Sequence, residues 1–307
     1  MRTIDTLISA RWILPIEPSG AVLEHHSIAI DAGRIVALLP TTDATVDFVA
    51  REQIELNQHV LMPGLVNLHT HAAMTLMRGL ADDLPLMTWL KNHIWPAEGK
   101  HVAPAFVKDG TLLACAEMLR SGVTCFNDMY FFPEATAQAV DQAGMRAAIG
   151  MIALEFPTAY AADADDYLRK GLEVRDAYRD HERIVFSMAP HAPYTVSDKT
   201  FEKILTLAEQ LEAPIHIHVH ETQDEINQSL AEHQLRPLAR LQKLGLLSPS
   251  VIAAHMVHLT EDEIALCAER GVNIAHCPVS NLKLASGIAP IAQLIARGVN
   301  IGLGTDG

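Results

Sequence analysis

Five short apolar runs in this sequence end in histidine or a carboxylate, and residues of those types at those places could bind a divalent cation and carry out hydrolysis. The first run is Leu65-Val66-Asn67-Leu68-His69-Thr70-His71. In an extended chain residues of equal parity point to the same side, so His69 and His71 can project together and share one ion. The second is Pro214-Ile215-His216-Ile217-His218-Val219-His220-Glu221. Alternation with Ile and Val puts its three imidazoles on one face, where one or two can be ligands and the rest a hydrogen-bonded core. Glu221 follows directly, within reach of the same place. The others end at His255, at His276-Cys277-Pro278 and at Gly302-Leu303-Gly304-Thr305-Asp306-Gly307. Gly302 and Gly304 share parity with Asp306, which leaves that face bare and lets the carboxylate approach a central ion. One terminal His or Asp is more often structural than catalytic; five in register are harder to assign to packing. Imidazole and carboxylate donors without thiolates suit zinc or iron better than magnesium.

These side chains need a scaffold that brings strand ends together. Eight strand-like runs, 65–68, 123–127, 147–152, 184–188, 214–219, 251–255, 272–276 and 299–303, alternate with helical stretches at 107–120, 133–143, 165–178, 198–211, 235–244, 261–268 and 288–296. Caps are expected at Ser197-Asp198 and Thr260-Glu261, and glycines 122, 144, 245, 271 and 298 close helices. Runs this apolar suit parallel strands covered on both faces. The alternation predicts an α/β fold, a (β/α)8 barrel over residues 59–307, whose catalytic groups belong at the C-terminal ends of the strands. A doubly wound open sheet would want fewer strands or a glycine-rich phosphate loop after the first. Residues 1–58 read instead as a small β layer, with strands at 6–14, 27–31 and 35–39 and a hairpin turn at Ala32-Gly33.

Composition bounds the partners. The chain has 307 residues, 49% of them apolar, enough for a large core. With 23 Lys+Arg against 37 Asp+Glu the net charge is −14, and no long basic run occurs. Nucleic acid and anionic membranes need a basic surface, so a small molecule is the expected partner. No apolar stretch is long enough for a membrane helix and no export signal is read at the N-terminus, so a cytoplasmic protein is expected. Four separated cysteines form no C-x-x-C and are expected to be reduced. Sixteen histidines against five tyrosines agree with a metal held by imidazole.

Pro63-Gly64-Leu65-Val66-Asn67-Leu68-His69-Thr70-His71, His218-x-x-Glu221, Ala254-His255, Ser280-Asn281-Leu282-Lys283-Leu284 and Gly304-Thr305-Asp306-Gly307 together resemble the amidohydrolase superfamily, and more closely its bacterial 5-methylthioadenosine/S-adenosylhomocysteine deaminases. The resemblance covers nearly the whole chain. It implies that His69, His71, His218 and Asp306 bind one divalent metal per subunit, zinc before iron or manganese, and that Glu221, His255 and Asp306 are catalytic. The fourth strand is followed by Ala189-Pro190-His191 where binuclear relatives carry a lysine, which implies a mononuclear site. The implied reaction is hydrolytic deamination of a 6-aminopurine nucleoside, with Asp306 taking a proton from water, His255 holding the water, and Glu221 protonating N1. His191 and Trp89 are the implied substrate contacts, Trp89 within a Met-rich lid spanning 74–80 and 84–90. The family's lid glutamate aligns with Met87, and the loop 150–157 has no arginine, so 5′-methylthioadenosine is expected ahead of adenosine and S-adenosylhomocysteine.

Guanine and cytosine deaminases and triazine hydrolases are similar at the same positions, and a catalytically silent barrel serving as a binding module is the alternative of another class. The cytidine-deaminase pattern H-x-E with P-C-x-x-C is absent. Relatives continue past the position of Gly307, so the chain is expected to be a fragment, truncated after the eighth barrel strand. A chain that ended there is expected to be poorly soluble or to cover its exposed surface by homo-oligomerisation.

Overall fold

The computed structural model describes residues 1–81 and 83–307, which form two compact units, Met1–Gly64 and Leu65–Gly307. In the first, strands β1 (Arg2–Ile13), β2 (Leu23–Asp31), β3 (Arg34–Pro40) and β4 (Phe48–Leu61) form one sheet in the order β3-β2-β1-β4, with helix α1 (Thr41–Asp47) between β3 and β4. Ile4, Leu7, Ala29 and Ala44 make its small core. Neither α1 nor the 14-residue β4 is expected from the sequence. β4 has no fully buried position, so its backbone ladder to β1, running from Arg2↔Phe48 to Ile13↔Leu61, makes it a strand where hydrophobic alternation does not. That ladder carries the first unit six residues beyond the expected boundary at residue 58.

The second unit holds eight parallel strands in chain order: β5 (Leu65–Thr70), β6 (Val123–Asp128), β7 (Arg146–Ala153), β8 (Ile184–Pro190), β9 (Ile215–Val219), β10 (Val251–His255), β11 (Asn273–His276) and β12 (Ile301–Leu303). The expected eight runs are these eight strands, shifted by up to two residues at their ends. The tail after β12 returns to β5 through the parallel bridge Thr70↔Asp306, so the sheet is a nearly closed barrel. Close approach there requires glycine. A Cβ on Gly302 would lie 2.4 Å from Leu68 Cδ1, and one on Gly304 2.9 Å from His69 Cβ.

Helices α2 (Leu86–Trp89), α3 (Trp95–His101), α4 (Pro104–Arg120), α5 (Pro133–Ala143), α6 (Ala164–Ala177), α7 (Asp198–Leu211), α8 (Gln223–His233), α9 (Pro237–Lys243), α10 (Glu261–Arg270), α11 (Pro278–Lys283) and α12 (Ile291–Ala296) complete the unit. Ser197 caps α7 and Thr260 with Glu263 forms a capping box on α10, as the sequence signals require. All five residues of β9 are buried, as expected of a strand covered on both faces. The polar α8 is a further element that the sequence pattern does not announce; Thr222 starts it by accepting from the Glu225 N–H. Among the described residues no helix is long and apolar enough to cross a membrane.

Candidate metal centre

Three histidines and one aspartate converge at the C-terminal mouth of the barrel. His69, on β5, is fully buried. Its Nε2 lies 3.2 Å from Asp306 Oδ1, and its Nδ1 is 2.9 Å from His216 Nε2. Just beyond β5, His71 donates from Nδ1 to the Met129 carbonyl (2.5 Å) and turns Nε2 to within 3.2 Å of the same Asp306 oxygen. His218, on β9, donates from Nδ1 to the His191 carbonyl (2.6 Å), which places its Nε2 3.3 Å from His71 Nε2. Asp306 is delivered by main-chain pairing: its N–H and that of Thr305 both donate to the His69 carbonyl at 3.0 Å. Asn67 fastens the same tail by donating to Thr305 Oγ1 (2.8 Å) and accepting from the Thr305 N–H (3.1 Å).

This arrangement fits a divalent cation. With Nδ1 of His71 and of His218 each committed to a carbonyl, both Nε2 atoms point lone pairs at one another, and a positive charge must sit between them. Ligand bonds of about 2.0–2.1 Å in a tetrahedron set donor atoms about 3.3 Å apart, close to the 3.2–3.3 Å of the three donor pairs given above. Without a metal, a proton takes part of that role. Burial opposes protonation of His71, but the hydrogen bond and charge of Asp306 prevail and raise its pKa to about 9. Burial pushes His69 down to about 4 and His218 well below the usual range. Asp306 is held well below the ordinary carboxylate range: burial works against this, but the hydrogen bonds from His69 and His71 outweigh it.

A second group adjoins the first. His255 Nε2 lies 3.9 Å from Glu221 Oε2 and 3.8 Å from Asp306 Oδ2. Burial raises the Glu221 carboxyl above its ordinary value. Burial also disfavours the His255 imidazolium, yet the facing carboxylates of Glu221 and Asp306 shift it upward. Glu221 sits on a turn clamped by Glu225, whose two oxygens accept the N–H groups of His220 (2.9 Å) and Glu221 (2.8 Å).

The structure thus brings His69, His71, His218, Asp306, Glu221 and His255 together. The three equal-parity histidines of β9 and its end go to three different places. His216 supports His69 and His218 faces the ion site. His220, in a left-handed conformation (φ 56°), donates to the His258 carbonyl and accepts from the Leu238 N–H. His276 ends β11 but does not line the cavity.

That cavity, of about 320 Å³, opens directly above the group. His191 and Trp89 line it, and Met74, Leu86 and Leu90 of the expected lid join them. Leu76 and Leu80 of the same stretch are instead about half exposed. The carboxylate of the cavity wall comes from outside the expected lid. Glu98, from α3, lines the cavity and accepts a hydrogen bond from the Tyr130 hydroxyl (2.8 Å). Burial raises its pKa. Trp95, Phe156 and Tyr160 also line the cavity without being singled out by the sequence, although Trp95-Pro96 could have marked a further lid helix. Among the described residues no lysine or arginine lines the cavity.

Comparison with known proteins agrees with this geometry. The model of the "Amidohydrolase family" matches residues 60–307. A Saccharophagus degradans protein named 5-methylthioadenosine/S-adenosylhomocysteine deaminase is 52% identical over 303 residues, 99% of this chain and 68% of that protein. The structure of an adenosine deaminase from Xanthomonas campestris with bound zinc has a TM-score of 0.98 and 52% identity, covering 100% of this chain and 70% of the other. Atrazine chlorohydrolase from Arthrobacter aurescens TC1, complexed with zinc, shares the fold at TM-score 0.89 and 23% identity, over 98% of this chain and 72% of that one. With a histidine–aspartate donor set at the strand ends of a nearly closed barrel and these relatives, this chain belongs to the amidohydrolase family.

Proposed function

We propose that the protein is a metal-dependent hydrolase that deaminates 6-aminopurine nucleosides, 5′-methylthioadenosine before adenosine and S-adenosylhomocysteine. The observation that carries the substrate choice is the cavity lining: beyond Glu221, Asp306 and the histidines of the site it is aromatic and aliphatic with one carboxylate, Glu98, and among the described residues it has no lysine or arginine. An amino-acid tail would bury its carboxylate there without a cation, at a cost of several kcal/mol, whereas a methylthio group gains from aromatic neighbours such as Trp95 and Phe156. Glu98 offers an acceptor for the ribose hydroxyls, and His191 a contact for the purine or ribose.

His69, His71, His218 and Asp306 would hold the metal, with zinc favoured by the three imidazoles and one carboxylate and by the zinc in related structures. When bound, such a cation acts as a Lewis acid and lowers the pKa of water toward neutrality. The reaction adds water at C6 and expels ammonia. Glu221, protonated more readily because it is buried, donates to N1 as the ring loses aromaticity, then takes the proton released by the C6 hydroxyl as the carbonyl forms and passes it to the departing amine. His255 orients the water, and Asp306 accepts its proton. His191, pushed down to about 3 by burial, stays neutral and serves as a hydrogen-bonding group. All four cysteines are free, three of them buried, which supports a reducing, cytoplasmic setting.

The test is ammonia release by zinc-loaded protein from the three nucleosides. The reading expects kcat/KM to fall in the order 5′-methylthioadenosine, adenosine, S-adenosylhomocysteine. A clear preference for S-adenosylhomocysteine overturns the substrate choice, and release only from guanine, cytosine or a triazine overturns the reaction class.

A further inference from the structure

The proposed mechanism gives no task to Ser280-Asn281, the start of a motif that the sequence singled out. Both residues lie on the six-residue helix α11. Neighbours on a helix point about 100° apart, and here the two diverging side chains reach two groups of the site. The Ser280 hydroxyl donates to Asp306 Oδ2 (2.5 Å), and Asn281 Oδ1 accepts from His255 Nδ1 (2.8 Å). The two groups so held are themselves 3.8 Å apart, His255 Nε2 to Asp306 Oδ2.

Two further features show that His255 needs an external hold. The last residue of β10, His255 (φ 72°), and the next, Met256 (φ 50°), are both in left-handed conformation, which side-chain-bearing residues adopt only when neighbours impose it. Asn281 is 1% exposed, and its Nδ2 has no partner among the described residues. A buried amide with one bond satisfied is a poor choice for packing, since leucine would fill the space without an unpaired donor. The helix is itself anchored. Asn281 N–H donates to the Cys277 carbonyl (2.9 Å) and its carbonyl accepts from Ser286 N–H (2.8 Å). The Ser286 carbonyl in turn accepts from His258 Nε2 (2.8 Å).

We propose that α11 is the positioning element of the site, Asn281 fixing the ring of His255 so that only Nε2 faces the cavity and Ser280 fixing Asp306 so that Oδ1 faces the metal ligands. The proposal rests on the assignment of His255 and Asp306 to the reaction, but part of its test needs no turnover. Asn281→Leu removes the acceptor at nearly constant volume, while Asn281→Asp keeps an oxygen on the His255 Nδ1–H. Positioning predicts that kcat falls about 100-fold in the leucine variant, with KM and bound metal within threefold of wild type, and that the aspartate variant recovers at least tenfold of the loss. Thermal stability should follow the reverse order, because leucine is the easier side chain to bury. If activity instead tracks stability, leucine at or above aspartate, Asn281 is only a packing residue and that half is overturned. Ser280→Ala is expected to weaken zinc binding 10–100-fold in competition with a chromophoric chelator; affinity within twofold of wild type overturns the other half. Should the wild-type protein release no ammonia, the deaminase reading fails, while the zinc competition and the downfield His255 Nδ1–H resonance, retained in Asn281→Asp and lost in Asn281→Leu, still decide positioning.

Discussion

His71 Nε2 and His218 Nε2 lie 3.3 Å apart, each on a ring whose Nδ1–H is already given to a backbone carbonyl. Two acceptors are thereby locked face to face by the barrel, and the contact is favourable only with a cation between them. Stripping the protein with a chelator should therefore lower Tm, and zinc at 100 times its Kd should restore about 2.7 kcal/mol. Differential scanning calorimetry of stripped and reloaded protein measures this. Identical Tm values, together with only trace metal in protein purified without chelator, would contradict the assignment of the four ligands.

Glu221 lies outside that donor set, so proton transfer and metal binding should separate. Glu221→Gln removes the transferable proton at constant shape and is expected to lower kcat by about 10²–10⁴-fold, with metal content by elemental analysis unchanged. Near-normal turnover in this variant would move the acid role to another residue.

The Glu225 carboxyl, pushed up to about 7 by burial against the opposing effect of the two N–H groups it accepts, makes stability depend on pH. A carboxyl with a raised folded pKa holds its proton more tightly in the folded state. Its contribution is therefore fully present below the unfolded value near 4.5 and is lost as pH rises through about 7. Relative to wild type, Glu225→Gln should gain about 3 kcal/mol between about pH 4.5 and 8. A wild-type-minus-variant Tm difference that does not change over this range would show that Glu225 carries no such shift.

Arg240 holds the loop that carries His191. Arg240 is 3% exposed, and its guanidinium donates to the Pro193 carbonyl (2.5 Å), the Val196 carbonyl (2.9 Å) and Asp198 Oδ1 (2.7 Å). Arg240→Met should cost about 2 kcal/mol, a fall of roughly 4–8 °C in Tm. KM for the nucleoside should rise about tenfold, because His191 and Tyr194 line the cavity from this loop. Saturation kinetics alongside thermal melts would decide whether the loop is held this way; a drop in Tm with KM unchanged would leave Arg240 a stabilising role alone.

The barrel is legible in the sequence because strands buried on both faces must be apolar throughout, and eight such runs separated by capped helices leave few other folds. Parity along β5 likewise puts His69 and His71 on one side, since the period of two is a property of any extended chain. The strand β4 and the helix α8 are not legible, since β4 has no buried face and α8 is largely polar, and both are defined by main-chain partners that sequence periodicity does not record.

Parity also cannot divide His216, His218 and His220 among their tasks. That choice is made by His69 Nδ1 on one side, the His191 carbonyl on another, and the left-handed turn that swings His220 toward Leu238 and His258. The cavity lining is decided in the same way, since Glu98 and Tyr130 are 32 positions apart and meet only because α3 folds over the end of β6. The sequence by itself determined the eight-strand alternation and the donor types at the strand ends, because both are written in local composition. Tertiary structure alone decided which nitrogen of each imidazole is free, because that depends on the carbonyl or side chain that occupies the other one.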